Sequence, residues 1–341
     1  MSKQIFLTVD TECHDIDKLN LYIYGIKNGK PWGVEKILQL AEEENIPVNF
    51  FVDVGEEKKY GAQMMEKLVN LIRSYGQPVY FHLHPDYISE DPERTFLWQY
   101  SFAEKKQIIW DAYEIYQKYA TDSDRLIFRA GRYGVDDEVY SILADLPQPV
   151  LDLSYIYDGR KMCKLRQTQA ETINAPAEYR GVTLLPNTRF VAFDYLGRKK
   201  CVGLDSADAT LGEFKQVLTR TKLNTLVYTM HSWNFIRKWF FAPQYMQGDK
   251  GMVRKFRKSV KIARKNGFTF ADLKDYIYKP EEDELLNLCD GFVGKVRGLI
   301  NNFLRFQKIG RLNKKYFAVF TFFYVCVLCA LAALIWGIFL R

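Results

Sequence analysis

Two periodicities divide the chain. Short apolar runs at residues 4–9, 48–54, 78–82, 126–128, 149–151 and 225–229 have the length and the β-branched or aromatic content of buried strands. Between them, residues 33–44, 61–75, 103–119, 136–144 and 211–221 place apolar side chains three and four positions apart, as helices with one buried face do. Strand followed by helix, repeated, predicts an α/β fold with a parallel sheet, because parallel neighbours need a crossover long enough to hold a helix. Residues 171–205 break this rhythm with turn residues and candidate hairpin strands at 181–185 and 189–193, which predicts an insertion shaping a substrate cleft or, equally, a plain surface excursion.

The C-terminal part has a different texture. Residues 250–266 predict a strongly basic helix, and Glu281-Glu-Asp-Glu284 predicts a solvated linker or a helix start closing the domain. Further on, Phe292, Val293, Val296, Leu299, Ile300, Phe303, Leu304 and Phe306 recur near helical spacing, with Lys295, Arg297, Arg305 and Lys308 at other positions. That composition fits an amphipathic helix lying on an anionic membrane, the alternative being a helix packed back on the domain. Residues 316–340 are 25 positions without a charge. At about 1.5 Å per residue they are long enough to cross a hydrocarbon core of roughly 30 Å as one transmembrane helix. Arg305, Lys308, Arg311, Lys314 and Lys315 precede this segment and only Arg341 follows it, so the positive-inside rule predicts that the bulk of the protein faces the cytoplasm. The expected organisation is therefore a catalytic domain over 1–280, a basic membrane-surface segment over 281–315 and a span over 316–340.

Charge sharpens this division. The 341 residues carry a formal net charge of +7, but residues 1–249 are net −4 and residues 250–315 net +10. The basic surplus thus sits beside the apolar segment and has no zinc-finger, RNA-binding or helix-turn-helix pattern with it. Anionic membrane lipid is the expected partner, and nucleic acid is not. Six cysteines without framework spacing predict free thiols in a reducing compartment, and the N-terminus shows no apolar stretch of signal-peptide length.

The candidate chemistry lies at strand ends. His82 and His84 close the third apolar run, His231 closes the last, and the first runs into Asp10-Thr-Glu12. Side chains two apart in a strand share a face, so Asp10 pairs with Glu12 and His82 with His84. Two imidazoles and a carboxylate suffice for a metal, leaving another Asp and another His for acid–base work; His14 and Asp15 stand close enough to be extra ligands. Sites in parallel βα folds are built just after strand C-terminal ends, which is where these residues fall.

Five motifs in order resemble those of the NodB-like polysaccharide deacetylases, carbohydrate esterase family four and relatives: Leu7-Thr-Val-Asp-Thr-Glu12, Phe81-His-Leu-His-Pro85, Phe128-Arg-Ala-Gly-Arg-Tyr-Gly134, Val150-Leu-Asp-Leu-Ser154 and Thr229-Met-His-Ser232. Here Asp-x-Glu stands where many members have adjacent aspartates, and His-x-His where they have His-x-x-x-His, which marks a divergent branch. The resemblance implies a distorted (β/α) barrel over roughly residues 1–275. It implies one divalent metal on Glu12, His82 and His84, zinc first, with manganese, iron and cobalt admitted by the same donors. It further implies Asp10 as general base and His231 as general acid, with the carboxylate roles of Asp10 and Glu12 open to exchange. Arg129 would hold Asp10 ionised and oriented, Asp152 would orient His231 and keep it protonated, and Tyr133 with Gly134 would offer a backbone N–H to the oxyanion. Arg132 is an alternative to Arg129 or a binder of a substrate phosphate, and Trp233 a wall for the acyl group.

The expected activity is hydrolysis of a linear amide C–N bond, removing an N-acyl group, most simply acetyl, from an amino sugar. A cytoplasmic domain tail-anchored to a bacterial inner membrane would meet a lipid-linked or membrane-proximal glycan intermediate, in company with polysaccharide-synthesis proteins. The alternative is a catalytically inactive scaffold or glycan-binding protein of a polysaccharide assembly complex.

Overall fold

A computed structural model of the chain describes residues 3–13, 15–120, 125–157, 162–165, 173–195, 198–239 and 242–312, with residues 322, 325, 326 and 329 in isolation. The strands are β1 (Lys3–Thr11), β2 (Asn49–Asp53), β3 (Val79–Leu83), β4 (Leu126–Ala130), β5 (Val150–Asp152), β6 (Ala177–Tyr179), β7 (Val182–Leu184), β8 (Arg189–Tyr195), β9 (Arg198–Gly203), β10 (Thr225–His231), β11 (Ile236–Trp239), β12 (Ala242–Gly248), β13 (Phe268–Phe270) and β14 (Leu286–Asn287). The helices are α1 (Val34–Glu43), α2 (Glu56–Tyr60), α3 (Ala62–Ser74), α4 (Pro85–Ser89), α5 (Phe102–Gln117), α6 (Asp137–Ala144), α7 (Leu211–Arg220), α8 (Lys250–Lys265) and α9 (Gly291–Leu312). The six apolar runs become β1 to β5 and β10, and the five periodic stretches become α1, α3, α5, α6 and α7.

The main sheet has the order β10-β1-β2-β3-β4-β5-β7-β6, parallel except for β6, with β13 pairing β1 as well. Its strands are buried on both faces, which is why they read as continuous apolar runs. Period two sorts the two faces. Phe6, Phe51, Tyr80, Ile127, Leu151, Leu153, Leu185 and Val227 form one inner cluster, sealed by Leu273 and Tyr276, while the alternate residues pack against the helices. Carried two and four residues on, the inner face passes through Thr8, Asp53, His82, Arg129 and Thr229 to Asp10, His84 and His231. Apolar side chains thus fill one end of the interior and chemical ones the C-terminal end.

No strand pair joins β7 to β10. The gap is crossed by irregular chain: Leu204 N–H donates to Thr188 O, Thr229 N–H to Leu204 O, and Ser206 N–H to Thr229 O, while Val227 N–H meets the Thr188 hydroxyl. On the other flank, β2 and β13 share one edge of β1, and buried Asn49 stitches the junction. Its amide donates to Leu7 O (3.0 Å) and Ala271 O (3.1 Å), and its carbonyl accepts from Leu273 N–H (2.8 Å).

Several expectations need correction. Residues 171–205 are only partly an insertion, because β7 lies beside β5 in the main sheet; β8 and β9 form the hairpin, extended by β14. The acidic run starts no helix, and although Glu282 and Asp283 are exposed, it is bonded to the domain. Asp283 accepts from the backbone N–H groups of Ile173, Asn174 and Ala175, Glu281 from that of Asn224, and Glu284 from the Thr221 hydroxyl. Their carboxylates satisfy chain that leaves regular structure, so the break expected at residue 280 is stitched to the domain. The β11–β12 hairpin and the short helical turns Ile16–Lys18 and Asn20–Tyr24 were not foreseen. His14 and nearly all of the expected span, 316–340, lie outside the described residues. Among the described residues, no helix is long and apolar enough to cross a membrane.

The Asn49 junction yields a test. Asn49→Ala takes the partner from three backbone groups, two of them buried, and should lower stability by about 2–4 kcal/mol, read from the urea midpoint. A loss below about 0.5 kcal/mol, the range of ordinary surface substitutions, would show that the β2–β13 seam does not depend on this side chain.

Candidate metal and acid–base site

Glu12, His82 and His84 meet at the C-terminal ends of β1 and β3, all three nearly inaccessible to solvent, with one donor atom from each within 4.8 Å of the others. They line a cleft of about 120 Å³ together with Asp10, Ala130, Arg132, Tyr133 and His231. The His82 ring is fixed by its Nδ1, which donates to Arg129 O at 2.9 Å and turns Nε2 toward Glu12 at 3.4 Å. Burial opposes the charged form of this imidazole, but the hydrogen bond to Glu12 and the fields of Asp10, Glu12 and Asp53 outweigh it and push the pKa up to about 9. The His84 Nε2 lies against the same Glu12 oxygen, and its ring lies flat on Gly131, where a Cβ would meet it at 2.5 Å. Glycine is what allows that approach.

This donor set fits a divalent metal. One carboxylate and two imidazoles leave a coordination position facing the cleft, and the His82 ring is held from behind as a ligand must be. The hydrogen bond of His82 to a main-chain carbonyl is the usual orienting contact for a ligating imidazole. At His84 the Arg132 guanidinium sits 3.0 Å from Nδ1, with Asp86 at 3.9 Å. Arg132 can only donate, so Nδ1 accepts here and the ring proton faces Glu12 on Nε2. A metal at Nε2 would need that proton on Nδ1 and Arg132 moved aside, with Asp86, now beyond hydrogen-bond reach, as the nearest carboxylate.

Arg129 is wholly buried and reaches across the interior. It pairs with Asp10 and donates to Thr8 Oγ1 (3.0 Å), Asn187 Oδ1 (3.3 Å) and Leu153 O (3.3 Å), with its guanidinium 4.3 Å from the Phe51 ring centre. Asp10 is thereby aimed into the cleft, and its register partner on the neighbouring strand is His231. The His231 ring lies 4.6 Å from Trp233, which meets Tyr22 edge-on at 5.1 Å, so an aromatic wall borders this imidazole. Arg132 and Tyr133 both adopt positive φ, +53° and +57°, in the turn that carries them over the metal triad. Two non-glycine residues in the left-handed region mark backbone held by its surroundings, a feature that concentrates at functional sites.

The structure thus brings Asp10, Glu12, His82, His84, Arg129, Arg132, Tyr133, His231 and Trp233 to one end of the sheet, and Asp152 to another face. Leu151 and Leu153 point inward, so Asp152 points outward onto α6, where Tyr140 donates to it at 2.9 Å and Ser154 contacts its other oxygen. The carboxylate whose field reaches His231 is Asp205, in the closing segment after β9; burial raises its pKa and the His231 charge lowers it. Arg132 is engaged with His84, Asp86 and Thr95 O, while Asp10 belongs to Arg129. Gly134 N–H is used by Gly131 O at 3.1 Å. Asp53 also escaped sequence reading: it ends β2 beside His82, and its Oδ1 accepts from His84 N–H at 3.3 Å. An acid closing an otherwise apolar strand, as on β1, was the available signal. Nothing in the pattern pointed to Asn187 or Asp205.

No family model matches the sequence, and no curated relative matches it. Among solved structures, the chain is similar to a candidate polysaccharide deacetylase from Mycobacterium smegmatis (14% identity, 80% of this chain and 88% of that one, TM-score 0.49). It is also similar to a family 4 carbohydrate esterase from Streptomyces lividans in complex with acetate (14%, 80% and 93%, 0.38). A third is a family 4 pseudoenzyme from Bacillus anthracis (10%, 80% and 65%, 0.43). The resemblance drawn from the five motifs meets the same group of proteins here, at low identity.

Asp152 supplies a test of the outward face. Burial raises its folded pKa to about 6 from an ordinary 3.8, against the smaller opposing effect of hydrogen bonds from Ser154 and Tyr140. The folded state therefore retains a proton that the unfolded chain releases, and stability is lost as pH rises from about 4 to 6. Asp152→Asn cannot ionise, so its stability relative to wild type should grow by roughly 2–3 kcal/mol between pH 4 and 7. A difference in urea midpoints that stays flat with pH would contradict the assignment.

Proposed function

We propose that this protein is a metal-dependent hydrolase that removes an N-acyl group, most simply acetyl, from an amino sugar. The observation that carries the reading is a buried Glu12–His82–His84 triad in one cleft with an arginine-clamped Asp10 and with His231. A divalent ion on that triad would polarise the amide carbonyl and acidify a water molecule.

The remaining work belongs to the chain. Asp10, fixed by Arg129, takes the proton of the attacking water as its oxygen adds to the amide carbon. His231, on the neighbouring strand and in the field of Asp205, delivers a proton to the nitrogen as the C–N bond breaks, releasing an amine and a carboxylate. Trp233 and Tyr22 border the His231 side of the cleft and suit the apolar part of an acyl group. The turn at Arg132 and Tyr133 roofs the triad and limits the water that reaches it. Asp205 thus supplies at His231 the negative field first expected of Asp152.

The substrate proposed is a lipid-linked or membrane-proximal glycan intermediate, met by a cytoplasmic domain anchored through residues 316–340, with anionic lipid and polysaccharide-synthesis proteins as neighbours. Support comes from the charge-free length of that segment and the five basic residues before it.

The wild-type protein should carry about one divalent ion per chain and release amine from amino-sugar lipids. His84→Ala should lose most of the metal. Asp10→Asn should keep the metal and lose at least about 100-fold in kcat, the usual scale of a lost general base. Metal lost in Asp10→Asn but kept in Glu12→Gln would exchange the two carboxylates. Full metal occupancy without turnover in wild type would favour the scaffold reading.

A further inference from the structure

Helix α9 is amphipathic the wrong way round for a helix that serves the core. Among the described side chains of 291–305, Gly294, Gly298 and Arg305 are buried and Asn301, Asn302 and Phe303 half-buried; Gly294, Gly298, Asn301 and Arg305 form one stripe, at steps of four, seven and eleven from Gly294. The opposite stripe, Phe292, Val293, Val296, Leu299, Ile300 and Leu304, is exposed, Phe292 to 82% and Val293 to 67%. Docking is made by close approach and polar bonds. A Cβ on Gly298 would meet Cys289 Sγ at 2.6 Å and Ala192 O at 3.0 Å, so only glycine lets the helix lie on the β8 hairpin. Asn301 donates to Glu213, Arg297 to Gln216, and buried Arg305 pairs with Glu213 and donates to Asp208 O. The sequence has therefore placed large apolar residues away from the protein on a helix whose inner face is made of glycine and polar residues.

We propose that this outer face of α9 docks on an anionic lipid bilayer, with the catalytic end of the sheet held at the bilayer surface. Lipid is the occupant that the neighbouring chain specifies. Residues 250–315 are net +10, Lys295 flanks the apolar stripe, and a 25-residue segment without a charge begins four positions after α9. A contiguous apolar stripe of this kind on a soluble surface is otherwise unusual.

The direction of α9 fixes the orientation. Arg220, at the end of α7, pairs with Asp290 just before α9, whereas Arg305 meets Glu213 and Asp208 near the start of α7. The two helices are antiparallel, and Arg305 in the last third of α9 lies beside the turn that contains Asp205, so α9 runs toward the end of the sheet where His231 stands. The chain therefore leaves for the bilayer from the catalytic end, and a headgroup-linked sugar can reach the cleft from the membrane surface. That last consequence rests on the deacylase reading; the docking itself does not.

The test uses the full chain, one copy per nanodisc of phosphatidylcholine and phosphatidylglycerol, and reads no activity. With Cys201, Cys326 and Cys329 replaced by alanine, an environment-sensitive fluorophore is placed at Leu299→Cys, at Ile300→Cys or, as a control on exposed α8, at Lys258→Cys. Lipids with brominated acyl chains should quench the label at 299 and 300 several-fold more than at 258. Equal, weak quenching at all three sites would overturn the proposal. So would an environment at 299 and 300 that becomes apolar only when two copies share a disc, which would assign the stripe to a second copy.

Discussion

Arg129 is the side chain on which the candidate site depends. A guanidinium without solvent is tolerable only when nearly every donor is used, and here four residues on three segments of the fold supply the acceptors: Thr8 and Asp10 on β1, Leu153 after β5, and Asn187 in the chain that closes the sheet. A charge buried this way adds little net stability, and its removal would leave Asp10 uncompensated. What it provides is geometry. Beginning on β4 and ending on β1, it fixes the proposed base against the opposite side of the interior, at the level where apolar packing gives way to chemistry.

That changeover follows from strand periodicity. Each inward position from Phe6, Phe51, Tyr80, Ile127 and Val227 onward comes two residues later, so the C-terminal end of the interior holds whatever the sequence places at those steps. The same rule governs the metal triad, since Glu12 follows Asp10 by two and His84 follows His82 by two. Gly131 stands two beyond Arg129, where its missing Cβ gives the His84 ring its place.

Much of this was legible before the structure. The parallel sheet and its helices follow from the apolar runs, and the strand-end polar residues mark where chemistry gathers; the choice of triad and the Arg129–Asp10 pair came from what the resemblance of the five motifs implies. Asp152 was misplaced because motif order took precedence over alternation; with Leu151 and Leu153 inward, parity alone sends it to Tyr140. The acidic residues 281–284 read as solvated because composition does not show which backbone groups lack partners. Asn187 and Asp205 were invisible for a related reason. They lie in irregular chain that crosses between strands, where no periodicity predicts a neighbour.

The central claim is that one metal is held by a carboxylate and two imidazoles at the ends of β1 and β3. X-ray absorption at the zinc edge of the metal-loaded protein tests it most directly. The account predicts a first shell of nitrogen and oxygen at about 2.0–2.2 Å with the multiple-scattering signature of two imidazoles. A sulfur shell at about 2.3 Å, placing the ion on cysteine, or a shell without imidazole would contradict it.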